Sequence, residues 1–104
     1  MNPNIPADYH EIGGWLSSFA RSHAKRESSR IEVILESGSA REGRSYGVRL
    51  ALEGRIHPPP GSPPIELEFA DVAAGRTRFA WCEALGERLR AAAREILRGA
   101  PVTG

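Results

Sequence analysis

The stretch "SYGVRLALEGRIHPPPGSPPIELEF", residues 45 to 69, decides the fold of this 104-residue chain. Tyr46, Val48, Leu50 and Leu52 recur at every second position, the pattern of a strand with one face buried and the other in water. Ile65, Leu67 and Phe69 repeat the pattern after the prolines. Between the two rows, "HPPPGSPP" carries five prolines, which cannot donate to a sheet ladder but suit strand starts and stiff extended connectors. The segment from His57 to Pro64 is therefore expected to end one strand and launch the next. A second reading, a preformed extended ligand for aromatic grooves built on Pro58, Pro59, Pro60, Pro63 and Pro64, fits less well, because such ligands sit in flexible tails and this one is tied to strands at both ends.

Working outward, Ile31, Val33 and Leu35 form an earlier alternating row, joined to the Tyr46 row by the loop "SGSAREGRS", residues 37 to 45. Upstream, Ile12, Trp15, Leu16, Phe19 and His23 have helical spacing, and Asp8 with Glu11 has the spacing of a capping box. Gly13 and Gly14 weaken that helix unless another part of the chain approaches closely there. Downstream, Phe79, Cys82, Leu85, Leu89, Ala93 and Ile96 lie on one side of a helix expected from about Gly75 to Arg98, stopped by Gly99 and Pro101. Glu83 and Glu87 in its first half and Arg90, Arg94 and Arg98 in its second suit the helix dipole.

The order read this way is α-β-β-β-α. It predicts an α+β two-layer sandwich, a three-stranded antiparallel meander with two helices on one face. The length fits one domain, expected over residues 8 to 99, with a loose lead over 1 to 7 and a tail over 100 to 104. At 40% apolar and 26% charged the composition is globular. No apolar run approaches the roughly 20 residues of a membrane span. The single cysteine allows no internal disulfide, and the first residues resemble no export signal, so a cytoplasmic protein is expected. Thirteen of the 14 basic residues are Arg, a composition that suits a GC-rich bacterial genome.

Net charge is +1, so any argument for a charged partner rests on segregation. Residues 31 to 72 carry four Arg against seven acids, and residues 73 to 104 carry six Arg against three Glu. Alternation places Glu32, Ile34, Glu36, Arg49, Ala51, Glu53, Glu66 and Glu68 on the water-facing side of the sheet. That side is expected to be a solvated acidic face, without aromatics to stack bases.

Catalytic chemistry finds little support. Cys82 falls in the apolar stripe and is expected to be a small core residue. His10, His23 and His57 show no metal-ligand spacing with one another or with Cys82, so no metal or cofactor is expected. No glycine pattern has the context of a phosphate loop, and no acid and base pair beside a pocket is apparent.

Two binding readings follow. In the first, the chain is a protein-interaction or self-association module, with Trp81 at the margin of the last helix's stripe and Ala84 and Arg88 beside it as the contact residues. In the second, it binds nucleic acid. The order α-β-β-β-α resembles the double-stranded RNA-binding domain, with "GRTRFAWCEAL" at the place of that family's basic helix start. The resemblance implies duplex RNA as partner, with Arg76 and Arg78 at the helix start meeting phosphates and Arg41 and Arg44 in the first hairpin loop. Phe79 and Trp81 stand where the family has lysines, and the loop lacks the family's Gly-Pro and His pattern.

Overall fold

The structure is a computed structural model that describes residues 6 to 37 and 41 to 98. Its spine is a strand from Ser45 to Leu52, with Tyr46 through Leu50 all buried. In chain order the elements are α1 (Tyr9–Glu27), β1 (Glu32–Glu36), β2 (Ser45–Leu52), β3 (Arg55–His57), β4 (Ile65–Glu68), α2 (Phe69–Gly75) and α3 (Phe79–Arg98). All strand pairs are antiparallel. β1 pairs with one side of β2, from Glu32 opposite Ala51 to Glu36 opposite Gly47. Both β3 and β4 pair with the other side.

The α+β class stands, and the meander is refined. Glu53 and Gly54 have φ of 50° and 84°, the left-handed pair that closes a two-residue hairpin. The chain therefore reverses straight after Leu52 and pairs back before the prolines begin. His57 lies opposite Leu50 and Ile65 opposite Val48. Arg49 alone faces the whole segment from Pro58 to Pro64. The proline segment does end one strand, β3, and launch the next, β4, as expected, but the two lie end to end along the same side of β2 rather than side by side. It is an excursion inside what would otherwise be one continuous partner of β2, entered through a cis His57–Pro58 bond. Residues without an N–H cannot hold the ladder, so the chain leaves it and returns to it.

β4 ends at Glu68, and Phe69 opens the short α2 instead of extending the strand. The Phe69 amide donates to the Arg44 carbonyl at 2.7 Å. Gly75 closes α2, so the final helix starts four residues later than its sequence pattern suggests. A Cβ at Gly75 would overlap the Trp81 indole, which lies flat against it.

Tyr46, Val48, Leu50 and Leu52 face the helices, and the core lies there in two clusters that β2 joins. Tyr9, Ile12, Leu16 and Leu89 surround Tyr46 and Val48. Ala24, Ile31, Ala93 and Ile96 surround Leu50 and Leu52. Each fully buried aliphatic side chain contributes about 1.5 to 3 kcal/mol, so the alternating row of β2 is central to stability. The Tyr9 and Tyr46 rings stack at 4.6 Å and 10°. Tyr46 Oη donates to the Tyr9 carbonyl at 2.6 Å and Tyr9 Oη to the Ser45 carbonyl at 2.5 Å. Gly13 is where the Tyr46 ring approaches α1, since a Cβ there would stand 3.0 Å from Tyr46 Cε1. The expected capping box does not form. Asp8 has turn-like angles and no side-chain cap bond, and the Tyr9 amide is satisfied by the Pro6 carbonyl at 3.1 Å.

The outer face of the sheet corrects the sequence reading most. Arg49 is only 8% exposed. Its Nε donates to Glu36 Oε2 at 2.7 Å, and its Nη1 to the carbonyls of Pro58 and Pro59 at 2.9 and 2.8 Å. Arg41 reaches the same face, donating to Glu66 at 2.6 Å, Glu36 at 3.2 Å and the Ser45 hydroxyl at 3.0 Å. Gly47 leaves room for Arg41 and Pro64 to lie over β2. The face is therefore a layer of ion pairs partly roofed by prolines, because a guanidinium removed from water must have its donors met.

The expected lead and tail lie largely outside the described residues, over 1 to 5 and 100 to 104, as do Gly99, Pro101 and part of the first hairpin loop. Among the described residues, no helix is long and apolar enough to cross a membrane.

Candidate functional site

α1 and α3 pack side by side and leave a cleft of about 260 Å³ between them. Phe19, His23 and Arg26 stand at positions i, i+4 and i+7 of α1 and form one wall. Phe79, Cys82, Glu83 and Arg90 of α3 form the other. His23 can lie this close because α3 has Gly86 opposite it, where a Cβ would stand 2.7 Å from the imidazole Cε1.

Phe79 sets the character of the cleft. It is 79% exposed, although the stripe of the last helix predicts a core position. It is the first residue of α3, and the buried positions of that helix begin only at Leu85. On the helix it shares a side with Glu83 and Arg90, and that polar company was the available signal. Phe19 and His23 continue the aromatic surface inward, with ring centroids 4.4 Å apart, and Trp15 stacks on Phe19 at 4.9 Å.

Burial, with Arg26 and Arg90 nearby, holds the His23 imidazole below its ordinary pKa. Its Nδ1 is buried and has no hydrogen-bond partner among the described residues. Cys82 is half-buried, not deep in the core as its stripe suggests. Its thiol points toward the carbonyls of Gly75 and Arg76, at 3.6 and 3.5 Å. Arg90 is paired with Glu87, whereas Arg26, Glu83 and Arg78, which precedes Phe79 in the chain, make no ion pair among the described residues. Among the described residues the lining thus offers Arg26 and Glu83 without ion pairs, and the exposed Arg78 beside Phe79 in the chain adds a second unanswered guanidinium next to the cleft.

Comparison with known protein families, with curated proteins and with solved structures finds no match.

The structure gathers Trp81, Ala84 and Arg88 on one flank of α3, at i, i+3 and i+7, turned away from the cleft. Ala84 and Arg88 are exposed. Trp81 is half-buried, with its ring 6.3 Å from that of Trp15 and its face on Gly75. Of the arginines in the duplex-RNA reading, Arg41 lies on the outer face of the sheet with its guanidinium engaged by Glu36 and Glu66. Arg44 is exposed and 3.5 Å from Glu42. Arg76 and Arg78 occupy the turn between α2 and α3, on the helix side; Arg76 is half-buried with its Nε unpartnered among the described residues, and Arg78 is exposed. Arg41 is thus separated by the sheet from Arg76 and Arg78. Among the described residues, no group of three or more His, Cys, Asp or Glu could hold a metal ion.

Proposed function

We propose that this domain is a non-catalytic protein-interaction module whose α1–α3 cleft seats one apolar side chain of an acidic partner segment. The supporting observation is Phe79, a large apolar ring left in water at the mouth of a cleft that continues into Phe19 and His23. Burying such a ring releases about 1.5 to 3 kcal/mol, and aromatic residues beside Arg are enriched at binding hot spots. The size of the cleft favours a side chain over a free metabolite, since small-molecule sites commonly occupy roughly 300 to 1,000 Å³. Arg26 and Arg78 give the rim its sign and favour carboxylates beside the apolar anchor. They also favour a different chain over a second copy, because a two-fold contact through this cleft would oppose like charges.

A displayed random-peptide library panned against the intact protein provides the test. Enriched sequences are expected to place Phe, Leu or Trp next to Asp or Glu, and to lose binding to Phe79→Ala and Arg26→Glu. Enrichment of basic peptides, or retention by Phe79→Ala, would refute the proposal. A mass that rises with concentration and falls back in Phe79→Ala would replace the partner by self-association. Salt-sensitive retention of duplex RNA, lost on changing Arg76 and Arg78 to Ala, would replace it by nucleic-acid binding.

A further inference from the structure

The proline excursion forms one wall of a second cleft, of about 420 Å³, whose opposite wall is the C-terminal half of α3. Arg55 and His57 reach it from β3, Pro59 and Pro60 from the excursion, and Glu95 and Ile96 from α3. The pairing register explains why the two polar residues point there. Arg55 lies opposite Leu52 and His57 opposite Leu50, and directly paired residues in an antiparallel sheet project from the same face. Leu50 and Leu52 face the helices, so Arg55 and His57 do also, at the open edge of the sheet beneath α3.

Arg55 is the unusual group. Its Nε is buried and has no hydrogen-bond partner, and its guanidinium makes no ion pair among the described residues. Glu95, which also lines the cleft, is taken by Arg98 at 2.7 Å. A buried donor left without an acceptor calls for a physical account, and an acceptor brought by a ligand is one. The remaining lining is apolar and stiff. Proline fixes its own backbone, and the Arg49 guanidinium holds the carbonyls of Pro58 and Pro59 from behind. A wall built in advance loses little freedom on binding.

We propose that this cleft binds a small organic monocarboxylate with an apolar body, the carboxylate on Arg55 and the body against Pro59, Pro60 and Ile96. A guanidinium fork suits a carboxylate better than any neutral head group, and the volume falls in the range of small-molecule sites. This cleft shares no lining residue with the α1–α3 cleft, which lies on the opposite side of α3.

Hexanoate is a suitable probe, titrated into the full chain and followed by amide and side-chain NMR. Saturable shifts are expected at Arg55, Ile56, His57 and Ile96, with hexanoate binding about tenfold or more tightly than hexan-1-ol, which lacks the charge, or acetate, which lacks the body. Arg55→Gln, confirmed as folded by circular dichroism, is expected to lose about tenfold or more in affinity. Arg55→Lys keeps the charge without the fork and is expected to fall between; it carries the test if the Gln variant does not fold. Equal binding of hexan-1-ol, unchanged affinity in the Arg55 variants, or shifts confined to Phe19 and Phe79 would overturn the assignment.

Discussion

Arg49 Nε lies 2.7 Å from Glu36 Oε2, across the β1–β2 pair, and from that anchor the same guanidinium holds the proline excursion by two carbonyls. Arg49→Met keeps the length of the side chain but leaves those acceptors unmet. It should cost about 2 to 3 kcal/mol in urea denaturation. Arg49→Lys should recover less than half of that, since one ammonium cannot reproduce the fork.

The same contact has a pH signature. The hydrogen bond from Arg49, with that from Arg41, holds the Glu36 carboxyl below its ordinary range in the fold. Its contribution is complete above the ordinary carboxyl pKa of about 4.3 and is lost as pH falls through the lower folded value. Between pH 5 and pH 3 the wild type should therefore lose more Tm than Glu36→Gln. Parallel curves for the two proteins would show that the pair adds nothing.

Phe79 and Trp81 stand two residues apart on α3 and should respond oppositely. Trp81→Ala removes a ring packed on Gly75 and near Trp15, and should destabilise by about 3 kcal/mol. Phe79→Ala should change stability by less than about 0.5 kcal/mol while weakening a bound peptide by about 2 kcal/mol. Gly75→Ala should also destabilise, by about 1 to 3 kcal/mol, although alanine is the better helix former by about 1 kcal/mol. Thermal melts of the three variants check the stabilities, and titration of a selected peptide into Phe79→Ala checks the affinity.

His23 makes the α1–α3 packing sensitive to mild acid. With its folded pKa depressed by burial and by Arg26 and Arg90, the imidazole is favoured as the neutral form in the fold. Stability is then full above the ordinary value of about 6.5 and declines as pH falls through the folded value. His23→Gln should flatten the stability curve between pH 7 and pH 5. An imidazole titrating at or above 6.5 by NMR would count against this account.

Tyr46 gives the alkaline counterpart. Burial first, and then Tyr9 and Asp8, push its phenol well above the ordinary range. The contribution is complete below about pH 10 and is lost as pH rises through the folded value. Tyr46→Phe should remove that dependence and, by losing the bond to the Tyr9 carbonyl, cost about 1 to 2 kcal/mol at neutral pH. Urea melts at pH 7 and pH 10.5 separate the two effects.

By itself the sequence determined the α+β class, the inward row of Tyr46, Val48, Leu50 and Leu52, and the buried part of the α1 and α3 stripes, Ile12 and Leu16 in the first and Leu85, Leu89, Ala93 and Ile96 in the second, because these follow from the repeat of a strand or a helix over neighbouring residues. The Glu53–Gly54 turn was also legible, as a glycine in the second position of a two-residue hairpin, and reading it would have revealed β3. What only the tertiary structure decided is which distant groups meet. The prolines could end a strand or interrupt one, and the pairing of Leu50 with His57 and Val48 with Ile65 settles it. Alternation put Arg49 on the water side, where the returning proline segment buried it. Phe79 obeyed the helical repeat yet stayed in water, because a repeat sets only the direction of a side chain; whether another layer extends far enough to cover it depends on residues dozens of positions away.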